Sequence, residues 1–433
     1  MNSSARFQTL DQWLRWQEGL HPRTIDLGLE RVARVAARLQ CLQPAATVIT
    51  VAGTNGKGSA VALLEAILTR AGYRVGSYTS PHLLRYNERV RLQGEPVADE
   101  TLCAAFDRVD RARAGDSLTY FEFGTLAALD ILRRQSLDVA LLEVGLGGRL
   151  DAVNIVDGDA ALVTSIGLDH TDWLGKDREA IGREKAGIFR AGRPAVCCDS
   201  QPPASLRAAA DERGASWHCL GEDFKLVERG RGWHWQGGGR PYRDLPRPAL
   251  AGAHQLANAA GVLMVLQLLE QRLPVDRSAI EAGLRWLRLP GRIERIAGTV
   301  EQVLDVSHNV AAALALVDTL RHAPVVGETH AVIGMMADKD IEAFVRALQP
   351  LVSRWYPVGL AVERAASAAQ MEQRIAGVSD ATAVTRCDSM AQVPERLRPR
   401  RGDRVLVCGS FYTVSEWLAL RPAFGQAQQS LPG

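Results

Sequence analysis

The sequence feature that most limits the possible folds is the stretch TVITVAGTNGKGS at residues 47–59. Its β-branched first half predicts a buried strand, and the Ala- and Leu-rich run after Ser59 predicts a helix. Between the two, three glycines surround Lys57. A strand, a glycine-rich turn and a helix start arrange backbone N–H groups around phosphate oxygens. The stretch therefore predicts a nucleotide-binding α/β domain.

The glycine spacing differs from that of the general nucleotide-binding loop. Only two residues separate Gly53 from Gly56, where the general pattern has four, and Gly58 comes between Lys57 and Ser59. A glycine turn that carries a solvated lysine is the alternative interpretation. The flanking strand and helix favour phosphate binding, with Lys57 reaching the terminal phosphates.

Composition limits the class of protein. The 433 residues are 47% hydrophobic and 23% charged, which is typical of a globular chain with two domains. With 51 basic and 49 acidic residues, the charge balance indicates neither nucleic acid nor an anionic membrane as a partner. Seven cysteines without a C-x-x-C pair, no apolar signal core and no run of eighteen apolar residues predict a cytoplasmic protein with reduced thiols. We expect a monomer.

Polar residues follow several predicted strands. The apolar run 137–144 ends near Glu143, and the run 160–166 leads to His170. The strand at 74–79 leads into Ser80, with His82 and Arg89 beyond it. Open α/β sheets bind ligands at the carboxyl ends of their strands, and a carboxylate there can hold Mg²⁺. The alternatives are a strand-end surface charge for Glu143, a structural histidine at position 170 and an ordinary polar loop after residue 80.

Helix and strand patterns predict two α/β domains. Helical patterns at 10–16 and 27–42 precede the phosphate loop, and residues 289–294 resemble a linker. The strand–helix alternation restarts at 300–304. We expect residues 1–289 to form a P-loop-type ATPase domain with a mostly parallel sheet, and residues 290–433 a smaller Rossmann-like α/β domain. Sites commonly form in clefts between such domains. The Gly-, Trp- and Arg-rich region 216–245 predicts irregular β structure, and its part 230–239 receives no function.

Eight motifs together resemble one enzyme family. They are AGTNGKGS at 52–59, SPHLLRYNERV at 80–90, TYFEFGTLAAL at 119–129, LEVGLGGRLDAVNIV at 142–156, TSIGLDHTDWLG at 164–175, REKAGIFR at 183–190, LPGRIE at 289–294 and DVSHN at 305–309. In this order, over almost the whole chain, they resemble the bifunctional dihydrofolate synthase/folylpolyglutamate synthases, relatives of the Mur ligases. The resemblance implies an ATP-dependent amide ligase. A substrate carboxylate attacks the γ-phosphate of ATP, and the amine of L-glutamate displaces phosphate from the acyl phosphate.

The resemblance also implies ATP, two Mg²⁺ ions and particular residues that bind them. The implied ATP contacts are Thr54, Asn55, Gly56, Lys57, Gly58, Ser59, Asn258, Arg292 and Asp305. The implied metal ligands are Ser80, Glu143 and His170. Lys185 matches a lysine that is carbamylated in the family, and it is expected to act in catalysis with Lys57 and His308.

A dihydropteroate site is implied as well. Its residues are Ile25, Asp26, Leu27, Thr119, Tyr120, Phe121, Glu122, Leu150, Asp151 and Ala152. Aromatic rings would stack on the pterin, and the carboxylates of Glu122 and Asp151 would accept its N–H groups. The alternative is that Tyr120, Phe121 and Phe123 are core aromatics at a helix start. Val310 replaces the proline that commonly follows His-Asn in the family, so the start of the following helix should be less rigid.

Three other functions stay open. The chain could be a folylpolyglutamate synthase that lacks the first activity, a Mur-type ligase of peptidoglycan precursors, or a nucleotide-binding regulatory module without catalysis. The TYFEFG segment argues against the peptidoglycan ligase. The joint presence of Glu143, His170, Lys185 and Asp305 argues against a module that only binds. The expected activity is addition of L-glutamate to 7,8-dihydropteroate and to reduced folates.

Overall fold

The structure, a computed structural model, describes residues 5–378 and 383–429. The chain divides into two compact units, Met1–Ala249 with Gln255–Leu287 and Leu250–His254 with Arg288–Gly433. The sequence patterns do not indicate that Leu250–His254 groups with the second unit. The functions assigned to residues 1–289 and 290–433 are not tested by this division and stay predictions. Within the described residues, no helix combines the length and apolar character that a membrane span requires.

In the described residues, the first unit contains eleven strands and ten α-helices, although the helix Ala253–Leu268 starts with two residues of the second unit. The strands are β1 Thr47–Ala52, β2 Val75–Tyr78, β3 Val90–Leu92, β4 Glu95–Pro96, β5 Val139–Glu143, β6 Ala160–Val163, β7 Pro194–Cys197, β8 Ser216–Cys219, β9 Lys225–Arg229, β10 Gly232–Gly237 and β11 Arg240–Pro246. The helices are α1 Leu10–Glu18, α2 Glu30–Leu39, α3 Lys57–Arg70, α4 Asp99–Arg113, α5 Tyr120–Arg133, α6 Thr171–Leu174, α7 Arg178–Lys185, α8 Ala204–Arg213, α9 Ala253–Leu268 and α10 Arg277–Trp286.

Eight of these strands form one sheet in the order β4-β3-β2-β5-β1-β6-β7-β8. All its neighbouring pairs are parallel except β2–β3 and β3–β4. Every residue of β1 is buried, as expected for a β-branched central strand in a parallel sheet that is covered on both faces. The order places the ends of β2, β5, β1 and β6 side by side, so the residues that follow these four strands share one edge.

The N-terminal helices α1 and α2 pack against α4 and α5 around the buried ring of Trp13. Helix α2 is shorter than the predicted 27–42. It begins at Glu30, because the preceding residues are held in a loop by Arg31, and it ends where Gln40 adopts a left-handed conformation with φ 55°. The helical spacing of its buried residues agrees with the prediction.

The region 216–245, predicted to be irregular β structure, forms β strands, and the pairing of β10 with β11 shifts register between Trp233 and Trp235. Strand β8 completes the large sheet, and β9, β10 and β11 form a three-stranded antiparallel sheet. Trp233 and Trp235 lie two residues apart on β10, so both rings face the same side of the strand, and both are buried. The indole of Trp235 donates to the Ala260 carbonyl of α9 at 3.0 Å. The Gly/Trp-rich stretch therefore attaches this small sheet to α9.

The second unit has a six-stranded sheet in the order β12-β13-β17-β14-β15-β16, parallel except for the β12–β13 pair. Its strands are β12 Glu294–Ile296, β13 Glu301–Leu304, β14 Thr329–Ile333, β15 Arg354–Pro357, β16 Ala383–Val384 and β17 Arg404–Cys408. Its helices are α11 Val310–Arg321, α12 Ile341–Leu348, α13 Ala368–Ala376, α14 Val393–Arg396 and α15 Phe411–Gln429. The predicted fold class, a mostly parallel α/β domain followed by a smaller α/β domain, is confirmed.

Candidate active site

The loop after β1 has a backbone path that requires glycine at two positions. Gly53 has φ 147° and Gly56 has φ 87°. A Cβ atom on Gly53 would lie 1.8 Å from Oγ1 of Thr164, and one on Gly56 would lie 2.7 Å from Nδ2 of Asn258. Helix α3 starts directly after Gly56 without a side-chain cap, so its first N–H groups face outward as anion donors.

A second loop, which follows β6, holds the glycine loop in place. The Thr54 N–H donates to the Ser165 carbonyl at 2.7 Å, and the Thr54 hydroxyl accepts from the Gly167 N–H at 3.0 Å. The Thr164 hydroxyl donates to the Asn55 carbonyl at 2.7 Å. These bonds fix the loop in one conformation before any ligand binds, which lowers the entropic cost of binding.

Two lysines meet at one carbonyl oxygen of this loop. Lys57 Nζ donates to the carbonyls of Gly53 at 3.1 Å and Thr54 at 3.2 Å, and Lys185 Nζ donates to the Gly53 carbonyl at 2.9 Å. Burial, together with the charge of Lys57, lowers the pKa of Lys185 to about 7, although Asp169 and Asp151 act in the opposite direction. A substantial fraction of Lys185 therefore carries a neutral, nucleophilic amine near neutral pH.

Ser80 and Glu143 are brought together, as the strand-end pattern predicts. Glu143 is the last residue of β5 and is buried, and the Ser80 N–H donates to its Oε2 at 3.1 Å. The hydroxyl and carboxylate oxygens of this pair are the kind of donor that Mg²⁺ prefers, so they fit such an ion. In residues 5–378 and 383–429, no three His, Cys, Asp or Glu side chains gather to hold a metal ion.

His170 lies in a loop and not at a strand end. Strand β6 was expected to reach residue 166, but it ends at Val163, so six residues separate it from His170. The backbone of His170 is left-handed, with φ 50°, and its side chain is 38% exposed. Its Nε2 lies 4.0 Å from Oδ1 of Asp169. A metal-ligating role for His170 stays a prediction.

Helix α9 contributes amide side chains at the start of α3. Asn258 lies against Gly56, and its Nδ2 donates to Oε1 of Gln255 at 3.3 Å. Gln255 in turn donates to the hydroxyl of Ser59 at 3.3 Å. Sequence reasoning included Asn258 and missed Gln255, although the i, i+3 spacing of two amides on one helix could have indicated the pair.

The predicted dihydropteroate segment forms the start of α5. Thr119 caps this helix, because the Glu122 N–H donates to its hydroxyl at 3.2 Å and the Thr119 N–H donates to Glu122 Oε2 at 2.8 Å. Tyr120 and Phe121 are half-buried, as rings that receive a ligand must be, whereas Phe123 is fully buried in the core. Tyr120 and Phe121 also pack against this core with part of each ring exposed, so the core-aromatic alternative holds for Phe123 and stays open for the other two.

Both carboxylates expected to receive pterin N–H groups already accept hydrogen bonds from the protein. Glu122 accepts from Arg31 Nε at 2.8 and 3.0 Å, besides its bond from Thr119. Asp151 accepts from the N–H groups of Leu146 at 2.8 Å and Val153 at 3.0 Å. Burial raises the pKa of Asp151 to about 6 despite these bonds. Leu150 and Ala152 flank Asp151, and the 3-10 turn Ala152–Ile155 follows it.

A buried arginine that the sequence analysis left unassigned lies beside Tyr120. Arg89 Nε donates to His82 Nδ1 at 2.9 Å, and its guanidinium carbon lies 5.1 Å from the Tyr86 ring centre and 5.7 Å from that of Tyr120. Burial, followed by the charge of Arg89, lowers the pKa of His82 to about 4. His82 is therefore a neutral acceptor that orients the guanidinium against the two rings.

In the second unit, Asp305 and His308, two of the predicted site residues, follow directly after β13. Asp305 is buried and accepts from the Ile293 N–H at 2.8 Å and the Ser307 N–H at 2.9 Å. His308 Nδ1 lies 2.9 Å from the Val306 carbonyl, so it donates to that oxygen. The Arg292 guanidinium lies 4.8 Å from the Phe411 ring centre, and the His308 ring lies 6.5 Å from it. Sequence reasoning missed Phe411, which joins these two residues.

Comparison with known proteins shows the family to which this chain belongs. Residues 51–223 match the family model of the Mur ligase middle domain, and residues 291–411 match that of the Mur ligase, glutamate ligase domain. A dihydrofolate synthase/folylpolyglutamate synthase of Escherichia coli (strain K12) is 44% identical over 406 residues, and the match covers 94% of each chain. The chain belongs to the dihydrofolate synthase/folylpolyglutamate synthase family.

Solved structures of the dihydrofolate synthase/folylpolyglutamate synthase family agree with this fold. Escherichia coli FolC in complex with DHPP and ADP has a TM-score of 0.92 and 43% identity, and the match covers 97% of this chain and 99% of that one. A bifunctional folylpolyglutamate synthase/dihydrofolate synthase with Mn, AMPPNP and L-glutamate bound has a TM-score of 0.89 and 45% identity, with 97% and 100% coverage. The resemblance that the motifs indicate is thereby confirmed.

The two matched domains of the dihydrofolate synthase/folylpolyglutamate synthase family do not include every predicted site residue. Lys57, Glu143 and Lys185 lie within 51–223, and Arg292 and Asp305 lie within 291–411. Residues 25–27 and Asn258 lie outside both. The structure nevertheless places Asn258 at the glycine loop, which supports its predicted role independently of the family models.

Proposed function

We propose that this protein is an ATP-dependent ligase that adds L-glutamate to 7,8-dihydropteroate, giving dihydrofolate, and to reduced folates, giving folylpolyglutamates. The observation that carries this function is the preformed glycine loop, with Lys57 at the start of α3, in a chain 44% identical to an enzyme named for both activities. The relatives crystallised with ADP, AMPPNP, DHPP and L-glutamate support the same set of substrates.

The chemistry takes two steps at one site. A carboxylate oxygen of the acceptor attacks the γ-phosphorus of ATP, and the bond to the bridging oxygen breaks, giving an acyl phosphate and ADP. The amine of glutamate then attacks the acyl carbon, inorganic phosphate leaves, and the amine loses a proton as the amide forms. Lys57 and the first N–H groups of α3 hold the phosphate oxygens during both steps. Thr54, Asn55, Gly58 and Ser59 complete this loop.

A divalent ion would be held by Ser80 and Glu143, with His170 as a third ligand. When bound, it would neutralise phosphate charge, so that an anionic carboxylate can approach. The support in this chain is the bond from the Ser80 main-chain N–H to the buried Glu143 carboxylate at 3.1 Å and the chemistry of the Ser80 and Glu143 side-chain oxygens. Mn in the relative's complex supports a divalent ion as cofactor.

Lys185 is proposed to be carbamylated. The amine of Lys185 is buried, and its pKa of about 7 leaves a neutral nucleophile available near neutral pH. That amine adds to the carbon of carbon dioxide and loses one proton, which gives a carbamate with one negative charge. A carbamate would replace a cation with an anion close to Lys57, and it would remove the repulsion that now lowers the pKa of Lys185.

The remaining predicted residues are assigned by substrate. The half-buried rings of Tyr120 and Phe121 would stack on the pterin, next to the segments Ile25–Leu27, Leu150–Ala152 and the cap Thr119. Asn258, Arg292 and Asp305 would contact ATP, and His308 would face the reacting groups. The stacking of Arg292 and the packing of His308 on Phe411 support a shared role for these two residues.

A cytoplasmic, monomeric enzyme that acts on small molecules alone is part of the proposal. All seven cysteines are free thiols, which suits a reducing compartment. Size-exclusion chromatography with light scattering would test the monomer.

The proposed function is tested by ADP release and product mass with each candidate acceptor, with and without L-glutamate. We expect dihydrofolate from dihydropteroate and a longer chain from a reduced folate, both dependent on glutamate. Turnover of folates but not dihydropteroate would leave a folylpolyglutamate synthase, the name that the Mycobacterium tuberculosis structure with a TM-score of 0.85 bears. Binding of ATP without any ligation would overturn the proposal.

A further inference from the structure

The loop between α1 and α2 carries one of the three segments of the predicted dihydropteroate site. Residues 19–29 contain neither helix nor strand, and Ile25, Asp26 and Leu27 lie in this loop. A second segment, Thr119 to Glu122, lies more than ninety positions further along the chain at the start of α5. A loop of this kind keeps a fixed position only if specific bonds attach it to a rigid element.

Arg31, in the first turn of α2, forms hydrogen bonds to both of these segments. Its Nε donates to Glu122 Oε1 at 2.8 Å and Oε2 at 3.0 Å. Its NH1 donates to Asp26 Oδ2 at 2.5 Å, and its NH2 donates to the main-chain carbonyl of Asp26. One planar guanidinium therefore fixes both the side chain and the backbone of Asp26 relative to α5.

The arrangement around Arg31 is largely shielded from water. The side chain of Glu122 is 5% exposed, and those of Arg31 and Asp26 are 20% and 27% exposed. Glu122 also accepts from the Thr119 N–H, so the ion pair is fixed to the helix start itself. Removing the arginine would leave a buried carboxylate without its cation, which is the costly way to break such a pair.

Arg34 offers a contrast on the same helix. It donates to Asp116 at 2.9 Å, but its side chain is 54% exposed, and Asp116 belongs to the turn after α4. An exposed pair of this kind contributes little to stability and fixes no predicted substrate residue. Arg34 is therefore the matched control for Arg31.

We propose that Arg31 is a positioning residue that builds the dihydropteroate pocket by fixing residues 25–27 to the start of α5, and that Glu122 serves as its buried counter-ion. This inference rests on the proposed function, because it assumes that the two segments bind the pterin. Arg31 itself needs no contact with substrate. Its loss acts through the position of the loop, and a displaced binding group can reduce turnover about 100-fold without any change in the reacting groups.

The test compares Arg31→Met with Arg34→Met in steady-state kinetics. For Arg31→Met, we expect the KM for dihydropteroate to rise about tenfold or more, while the KM for ATP stays within about twofold of the parent. Arg34→Met should match the parent in both. A role in stability alone would lower the melting temperature of Arg31→Met and leave the KM for dihydropteroate unchanged, and that result would overturn the inference.

Three further variants, Arg31→Lys, Glu122→Gln and the two changes combined, keep the test decisive if Arg31→Met does not fold. Arg31→Lys keeps the positive charge but loses the planar guanidinium that bonds to Glu122 and Asp26 at once, so its KM for dihydropteroate should rise by about threefold or more. In Arg31→Lys/Glu122→Gln, the two changes should be non-additive in that KM, because both act through one contact. Additive effects, or a KM for Arg31→Lys equal to that of the parent, would contradict the proposed positioning role.

Failure of the proposed function would look different. If the parent enzyme does not use dihydropteroate at all, the proposed bifunctional activity is wrong and the pocket has another ligand. If the parent uses dihydropteroate and the Arg31 variants behave like Arg34→Met, the function stands and the positioning role is wrong.

Discussion

The phosphate loop and the proposed dihydropteroate pocket are built in opposite ways. The loop at residues 52–59 is one continuous segment whose shape depends on glycines at 53 and 56 and on bonds from the neighbouring loop after β6. In the proposed pocket, the side chain of Arg31 joins residues 25–27 to residues 119–122. The first depends on backbone conformation and the second on a long-range ion pair. A shared ATP site should therefore respond equally for both acceptors, and the pocket should not.

The largest expected effect is that of Lys57→Ala, which tests the first half of this comparison. Removing a preorganised cation that faces the transferred phosphate should lower kcat about 10²–10³-fold for both acceptors, with the fold retained. The control is Lys225→Ala on β9, whose side chain is exposed. Near-normal turnover in folded Lys57→Ala would contradict the phosphate-loop assignment.

Loss of the carbamate proposed for Lys185 should have the next largest effect. Because the amine is neutral only above its pKa of about 7, recovery of a carbon-dioxide-depleted enzyme on adding bicarbonate should be slight at about pH 6 and strong at about pH 8. We expect Lys185→Ala to lose at least about tenfold in kcat and not to respond to bicarbonate. Lys176→Ala, an exposed control, should respond like the parent. Equal recovery at both pH values would contradict a carbamate on this lysine.

Alanine substitutions at two glycines with similar φ angles test whether the phosphate loop depends on its backbone conformation and close packing. Gly56 and Gly72 have φ of 87° and 89°, but a Cβ on Gly56 meets Asn258 at 2.7 Å, whereas one on Gly72 meets nothing within 4 Å. The positive φ alone should cost an alanine at either position about 1 kcal/mol of folding free energy, and in Gly56→Ala the clash with Asn258 adds to that cost. Only Gly56→Ala should raise the KM for ATP, by about fivefold to tenfold, because the crowded Asn258 lies at the phosphate end of α3. The same KM in both variants would show that the loop tolerates a side chain.

The difference between a continuous loop and a pair of distant segments also explains which parts of the fold and of the candidate site could be predicted from the sequence. Glycine spacing, a β-branched strand and an apolar helix are local signals, so the loop and the parallel sheet around it were predictable. Glu143 was predictable because it ends an apolar strand. The roles of Arg31, Arg89 and Phe411 were not, because their partners lie at distant or unremarkable positions in the chain.

One boundary was predicted wrongly. The start of α2 was placed at residue 27 because Leu27 and Leu29 continue the apolar spacing, whereas the bonds of Arg31 to Asp26 hold this stretch in a loop. For residues 216–245, the Gly, Trp and Arg content indicated irregular β structure, and it did not indicate the three-stranded pairing of β9, β10 and β11. The alternation of Trp233 and Trp235 with polar residues could have indicated β10, since side chains on a strand repeat with a period of two.

A shared ATP site with a separate pterin pocket is tested most directly by one ratio, the kcat/KM for dihydropteroate divided by the kcat/KM for a reduced folate. This ratio is measured in the parent, in Lys57→Ala and in Phe121→Ala. We expect the parent ratio in Lys57→Ala, because one loop serves both reactions. We expect a ratio about fivefold lower in Phe121→Ala, because a half-buried ring that stacks on the pterin contributes about 1 kcal/mol. An unchanged ratio in Phe121→Ala, or a ratio altered by Lys57→Ala, would contradict a shared ATP site with a separate pterin pocket.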